Sequence, residues 1–126
     1  MKPCLFATAF VAAMLGAAIN SARATDATIA AGKLFFDQRC RVCHSGEADR
    51  KTYGPPLAGI VGRKAGMAEG FAYSDALKNS GIVWTIELLK AWMADNDGML
   101  PGTRMRHVGV ADTAERDMIA AYLKSL

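Results

Sequence analysis

Histidine and cysteine are scarce in this chain, two of the first and three of the second among 126 residues. A structural zinc site needs four ligands, and beyond Cys40, Cys43 and His44 the sequence offers only His107 and Cys4. No Gly-x-x-x-x-Gly-Lys-Ser/Thr occurs, so a phosphate-binding loop is excluded. The acidic run Asp95-Asn96-Asp97-Gly98 lacks the alternating ligands and distal glutamate of a calcium loop and reads as a turn that stops the chain. There is no internal repeat and no convincing strand pair, so the expected architecture is all-α. A membrane-spanning helix is the weaker reading of the one long apolar run: Leu5 to Ile19 covers 15 residues, short of the roughly 20 needed to cross a bilayer.

That run has another meaning. Lys2 supplies a short positive start and Ala22-Arg23-Ala24 an A-x-A cleavage pattern, so residues 1–24 are expected to be a secretory signal peptide. Cys4 precedes the apolar run, which argues against a lipoprotein anchor. Taking 24 residues from 126 leaves 102, residues 25–126, the size of one small domain. The leader holds two of the 15 basic residues, Lys2 and Arg23, and none of the 12 acidic ones. The mature chain then carries 13 cations against 12 anions, and a balance of +1 gives no basis for binding nucleic acid or a membrane surface. The expected destination is the periplasm, an oxidising compartment.

Two cysteines in that compartment would ordinarily suggest a disulfide, and Cys-x-x-Cys a thioredoxin-like redox pair. Here they stand in Cys40-Arg41-Val42-Cys43-His44, with no βαβ pattern around them. Cys-x-x-Cys-His is the attachment pattern of c-type haem: each thiol adds across a vinyl group and the imidazole ligates the iron. The spacing is mechanical. Positions three apart at a helix end share one face, so both sulfurs can reach one edge of a flat porphyrin and the histidine arrives beneath the metal. A large apolar macrocycle would also supplement the modest core of so small a domain.

Along the chain, Ile29, Gly32, Phe36 and Cys40 recur at three to four residues and predict an amphipathic helix from Thr28 to about Arg41. Glycine inside a helix costs about 1 kcal/mol relative to alanine, so Gly32 is expected where another helix comes close. From Ser45 to Gly70 the punctuation by Gly54-Pro55-Pro56, Gly59, Gly62 and Gly66 predicts an ordered loop, long enough to need a service such as wrapping a haem. Ser74 caps a short helix through Asn79, and Thr85 a longer one through about Ala94. Asp112 and Glu115 resemble a capping box, ahead of an apolar face of Met118, Ile119, Tyr122, Leu123 and Leu126. Of the seven methionines, Met1 and Met14 fall in the leader, and Met93 and Met118 on apolar helix faces. Met67, Met99 and Met105 lie in loops, where a thioether can be aimed.

The order Cys40-Arg41-Val42-Cys43-His44, Gly54-Pro55, Gly62-Arg63-Lys64, Gly70-Phe71-Ala72-Tyr73-Ser74, Trp84, Pro101-Gly102-Thr103-Arg104-Met105 and Ala121-Tyr122-Leu123-Lys124 resembles class I cytochrome c, the small soluble mitochondrial and bacterial type. The resemblance covers nearly all of residues 25–126. It implies four to five helices around one haem c, held by two thioethers, with the first and last helices crossing at Gly32, Phe36 and Tyr122. It implies His44 and Met105 as axial ligands, with the Pro55 carbonyl accepting the imidazole proton. Arg63, Tyr73, Ser74, Trp84 and Thr103 match positions that hydrogen-bond or neutralise a propionate. A Met/His pair fills both axial positions and raises the potential, which favours electron transfer over catalysis.

Departures from the family pattern are Trp92 where many relatives place a tyrosine near the sulfur, Leu77 for an asparagine, Ala65 for a polar residue, and His107 at a usually aromatic position. The expectation is a monomeric periplasmic electron carrier, not an enzyme. The resemblance suggests as partners a quinol-oxidising complex, a terminal oxidase, a photosynthetic reaction centre or a periplasmic dehydrogenase. Arg39, Arg41, Arg50, Lys51, Arg104 and Arg106 lie near the haem motifs in sequence and are expected to steer an acidic partner. The rivals are a haem peroxidase or a subunit feeding a catalytic partner, and a gas or redox sensor; each needs an open iron position.

Overall fold

The computed structural model describes residues 23, 25–48 and 50–126, so the expected leader lies, apart from Arg23, outside the described residues. Five helices are found among them: α1 over residues 25–39, α2 Asp75–Asn79, α3 Ile86–Ala94, α4 Asn96–Met99 and α5 Thr113–Ser125. No strand forms among the described residues; Lys64 and Val83 make an isolated antiparallel bridge.

The predicted face of α1 buries Phe36 to 2% exposure, and the helix gives way to a turn over residues 40–43. The His44 amide closes that turn by donating to the Cys40 carbonyl at 2.8 Å. Gly32 meets α5 as its sequence position suggests. A Cβ there would stand 1.9 Å from the Met118 carbonyl oxygen, so the two helices touch backbone to backbone, and the Phe36 and Tyr122 rings pack beside the contact at 5.2 Å. The first and last helices therefore cross where expected. Asp112 caps α5 by accepting from the Glu115 amide at 3.0 Å, but the reciprocal half of the capping box is replaced. The carboxylate of Glu115 instead accepts from Nε and Nη2 of Arg39, which ties the end of α1 to the start of α5.

Asp95-Asn96-Asp97-Gly98 is more than the expected turn. The Asp95 side chain accepts from the Gly98 amide at 2.8 Å and caps the single helical turn α4, as aspartate does before a first turn. Residues 45–70 are irregular but fastened. Gly62 and Ala65 donate to Trp84 and Ile82 at 2.7 and 2.8 Å, and the Arg63 guanidinium donates to the carbonyls of Pro56 and Ala58 at 2.8 and 3.0 Å. Behind this loop α3 packs on α5, burying Leu89, Trp92 and Met93 against Ile119, Ala120 and Leu123.

Candidate haem site

This core does not close over itself. A cavity of about 530 Å³ opens between the end of α1, the Tyr53-Gly54 loop and the 104–110 segment, with Cys40, Cys43, His44 and Met105 in its wall. An inner lobe of about 110 Å³ continues past Pro55, Arg63, Tyr73, Trp84 and Trp92. Cys40, His44, Met93 and Met105 line both, so the lobes form one cleft.

His44 is held by its surroundings. It is 8% exposed, and its Nδ1 lies 2.8 Å from the Pro55 carbonyl. A carbonyl only accepts, so the proton sits on Nδ1 and the Nε2 lone pair is left for a metal. Gly54 makes room for the ring: a Cβ there would come within 2.7 Å of His44 Cε1. Burial pushes the imidazole below its ordinary value, against the opposing hydrogen bond to Pro55, and so favours the neutral ligating form. Cys40 and Cys43 are unpaired, and burial pushes the Cys40 thiol up to about 11. A thioredoxin-like cysteine has a depressed value, a shift in the opposite direction. Among the described residues no cluster of three or more His, Cys, Asp or Glu side chains is present to bind a bare metal ion.

Met105 is anchored from three directions. The Trp92 indole donates through Nε1 to its Sδ at 3.0 Å, Asn96 donates through Nδ2 to its carbonyl at 2.8 Å, and its amide donates to Thr103 Oγ1 at 3.4 Å. Trp92 itself is steadied edge-on by Trp84, with ring centroids 5.2 Å apart. In the inner lobe burial pushes the Tyr73 hydroxyl up while nearby Arg63 pulls it down, a pairing of donors suited to an anionic group.

Eight of the ten residues singled out from the sequence therefore meet in one cleft: Cys40, Cys43, His44, Pro55, Arg63, Tyr73, Trp84 and Met105. Ser74 and Thr103 are buried but do not line it. Ser74 Oγ caps α2 by accepting from the Leu77 amide at 3.3 Å, and Thr103 supports the Met105 backbone. Sequence reasoning missed Asn96, whose place beside Asp95 and Asp97 looks like turn chemistry; its burial to 4% is set by packing. The expected basic cluster is also altered. Arg39 pairs with Glu115, Arg41 with Asp37 and Arg106 with Asp97, so half of those cations are neutralised within the molecule.

The wall carries two thiols, an imidazole with a free nitrogen, a thioether and an apolar inner lining. That donor set suits a porphyrin iron, soft on the sulfur side and apolar around the ring, and defines a covalent-haem protein. The cytochrome c family profile matches residues 29–126. Cytochrome c2 of Blastochloris viridis is 45% identical over 112 residues, which covers 88% of this chain and 86% of that one. Cytochrome c-550 of Ancylobacter novellus is 43% identical over 91 residues, or 69% of this chain and 85% of the relative. The solved cytochrome cH from Methylobacterium extorquens superposes with a TM-score of 0.71 at 45% identity, covering 77% of this chain and 97% of that one. The chain belongs to the cytochrome c family. It is an electron carrier that works with redox partners, not an enzyme, and the family implies covalently bound haem c.

Proposed function

We propose that residues 25–126 form a periplasmic carrier of one haem, attached through Cys40 and Cys43 and ligated by His44 and Met105, with residues 1–24 removed on export. The haem supplies one-electron chemistry by cycling between ferrous and ferric iron. The chain supplies everything else. His44 is held in the ligating tautomer by Pro55, Met105 is aimed by Trp92 and Asn96, and both face one cleft. Two filled axial positions leave none for a substrate. Arg63, Tyr73 and Trp84 line the inner lobe, where a propionate needs donors. Ser74 and Thr103 accept from the amides of Leu77 and Met105, two residues that line the same lobe.

The observation that carries this reading is the Trp92 hydrogen bond to the Met105 sulfur at 3.0 Å. It orients that thioether in the wall shared with His44. Its partners are redox proteins of the periplasm, a quinol-oxidising complex, terminal oxidase, reaction centre or dehydrogenase. No helix among the described residues is long and apolar enough to cross a membrane.

Absorption spectra of the exported protein, oxidised and reduced, with and without carbon monoxide, test the ligation. A low-spin spectrum with a methionine-to-ferric charge-transfer band and no carbon monoxide shift is expected. A high-spin spectrum that shifts with carbon monoxide would overturn it. Intact mass and N-terminal sequencing check the cleavage and the single haem.

A further inference from the structure

Burial alternates along the segment that carries Met105. Thr103 is buried, Arg104 exposed, Met105 half-buried, Arg106 exposed, His107 half-buried and Val108 exposed. Alternation with a period of two is what an extended chain produces, so Met105 and His107 share its inward face. Both line the outer cavity that His44 also lines. Arg106 between them points outward to Asp97, at 2.6 Å.

The hydrogen bonding of His107 is incomplete. Its Nε2 lies 3.2 Å from the Met93 carbonyl. That acceptor places the proton on Nε2 and leaves a lone pair on Nδ1. Nδ1 is buried with no hydrogen-bond partner, the only such side-chain atom among the described residues. An unsatisfied buried acceptor is costly and rare enough to need a reason. The imidazole that carries it belongs to a residue lining a haem cleft, two residues along from a thioether, which supplies one.

We propose that His107 is a reserve axial ligand: when the Met105 thioether leaves the iron, the free Nδ1 of His107 takes its place. This rests on the reading of Met105 as the resident ligand. In the exchange the iron–sulfur bond breaks and an iron–nitrogen bond forms. No electron is transferred, and no proton is released, because the imidazole proton already sits on Nε2. The chain moves by one inward-facing position, and the bonds that resist are those of Trp92 and Asn96 to Met105, of Arg106 to Asp97 and of His107 Nε2 to the Met93 carbonyl. Because methionine ligation raises the haem potential, the His107-bound state has the lower potential and gives up its electron more readily.

The test compares haem-loaded variants in the ferric state, dilute and at neutral pH. Met105→Ala is expected to be low-spin, with the electron paramagnetic resonance of two imidazoles. The chain has two histidines, so the second imidazole is His107. Met105→Ala/His107→Phe is expected to be high-spin. If Met105→Ala is itself high-spin and matches the double variant, the proposal is overturned. Should Met105→Ala lose its haem, wild type and His107→Phe are followed in rising guanidinium. As the methionine charge-transfer band fades, a two-imidazole species that appears in wild type alone before helical circular dichroism is lost supports the proposal, and its absence from wild type overturns it. A wild type that never shows the band sinks the Met105 reading itself, a distinguishable failure.

Discussion

Trp92 is the residue on which the chemistry of the cleft turns. A thioether sulfur has two lone pairs; in the proposed ligation one would go to iron, leaving the other to accept the indole N–H. That bond withdraws density from the sulfur, makes it a poorer donor to ferric iron and so favours the ferrous state. Trp92→Phe keeps the aromatic bulk and removes the donor. A hydrogen bond is worth about 1 kcal/mol, and a one-electron couple moves about 59 mV per tenfold change in its equilibrium, so the potential is expected to fall by roughly 20–60 mV. Equilibrium redox titration reads this directly. The methionine charge-transfer band is expected to persist, because Asn96 still holds the Met105 carbonyl.

The crossing of α1 and α5 depends on a missing side chain. Gly32→Ala places a methyl 1.9 Å from a carbonyl oxygen of the other helix, and backbone cannot swing aside as a lysine tip would. Forcing the helices apart strains a packed contact, which typically costs about 1–3 kcal/mol, more than the roughly 1 kcal/mol alanine regains in helix propensity. A lower denaturant midpoint is expected, with the charge-transfer band retained below the transition because the cleft residues lie elsewhere. The Arg39 to Glu115 pair acts on the same two helices. Arg39 is solvated while the carboxylate is 8% exposed, so the pair serves chiefly to satisfy a buried charge. Arg39→Ala is therefore expected to destabilise the protein more than Glu115→Gln does, as denaturant titrations of the two variants would show.

Taken whole, the molecule is a helical shell around a cleft too large for its own side chains to fill. Without haem, a largely apolar cleft of about 530 Å³ stands open to water, and the burial that would stabilise so small a domain is forfeited. The chain without haem, as in Cys40→Ala/Cys43→Ala, is expected to show reduced helical circular dichroism and no cooperative thermal transition. The rim has its own character. Three of its neighbouring arginines are paired with Glu115, Asp37 and Asp97, while Tyr53 and Val108 at the cavity mouth are 87% and 86% exposed. Steering by charge is weak when cations carry their own counter-ions. The rate of oxidation by ferricyanide is expected to change by less than about threefold between low and physiological ionic strength, and Asp97→Asn, which frees Arg106, to steepen the dependence.

Features that depend on near neighbours in the chain were legible from residue order. Cys40, Cys43 and His44 sit at spacings that any helix end converts into one face, Ser74, Thr85 and Asp112 cap the helices that follow them, and Gly32 announces a close approach. These follow from backbone geometry over three or four residues, which is the same in every fold. Contacts between distant segments were not legible in this way. The Asn96 hold on Met105, the replacement of a capping box by Arg39, and the pairing of Arg106 with Asp97 arise only when distant segments are packed together. Packing also left Ser74 and Thr103 beside the cleft instead of in its wall, and left the His107 Nδ1 buried without a partner. Local spacing determines which groups are presented, and burial among distant neighbours determines which partner each one finds.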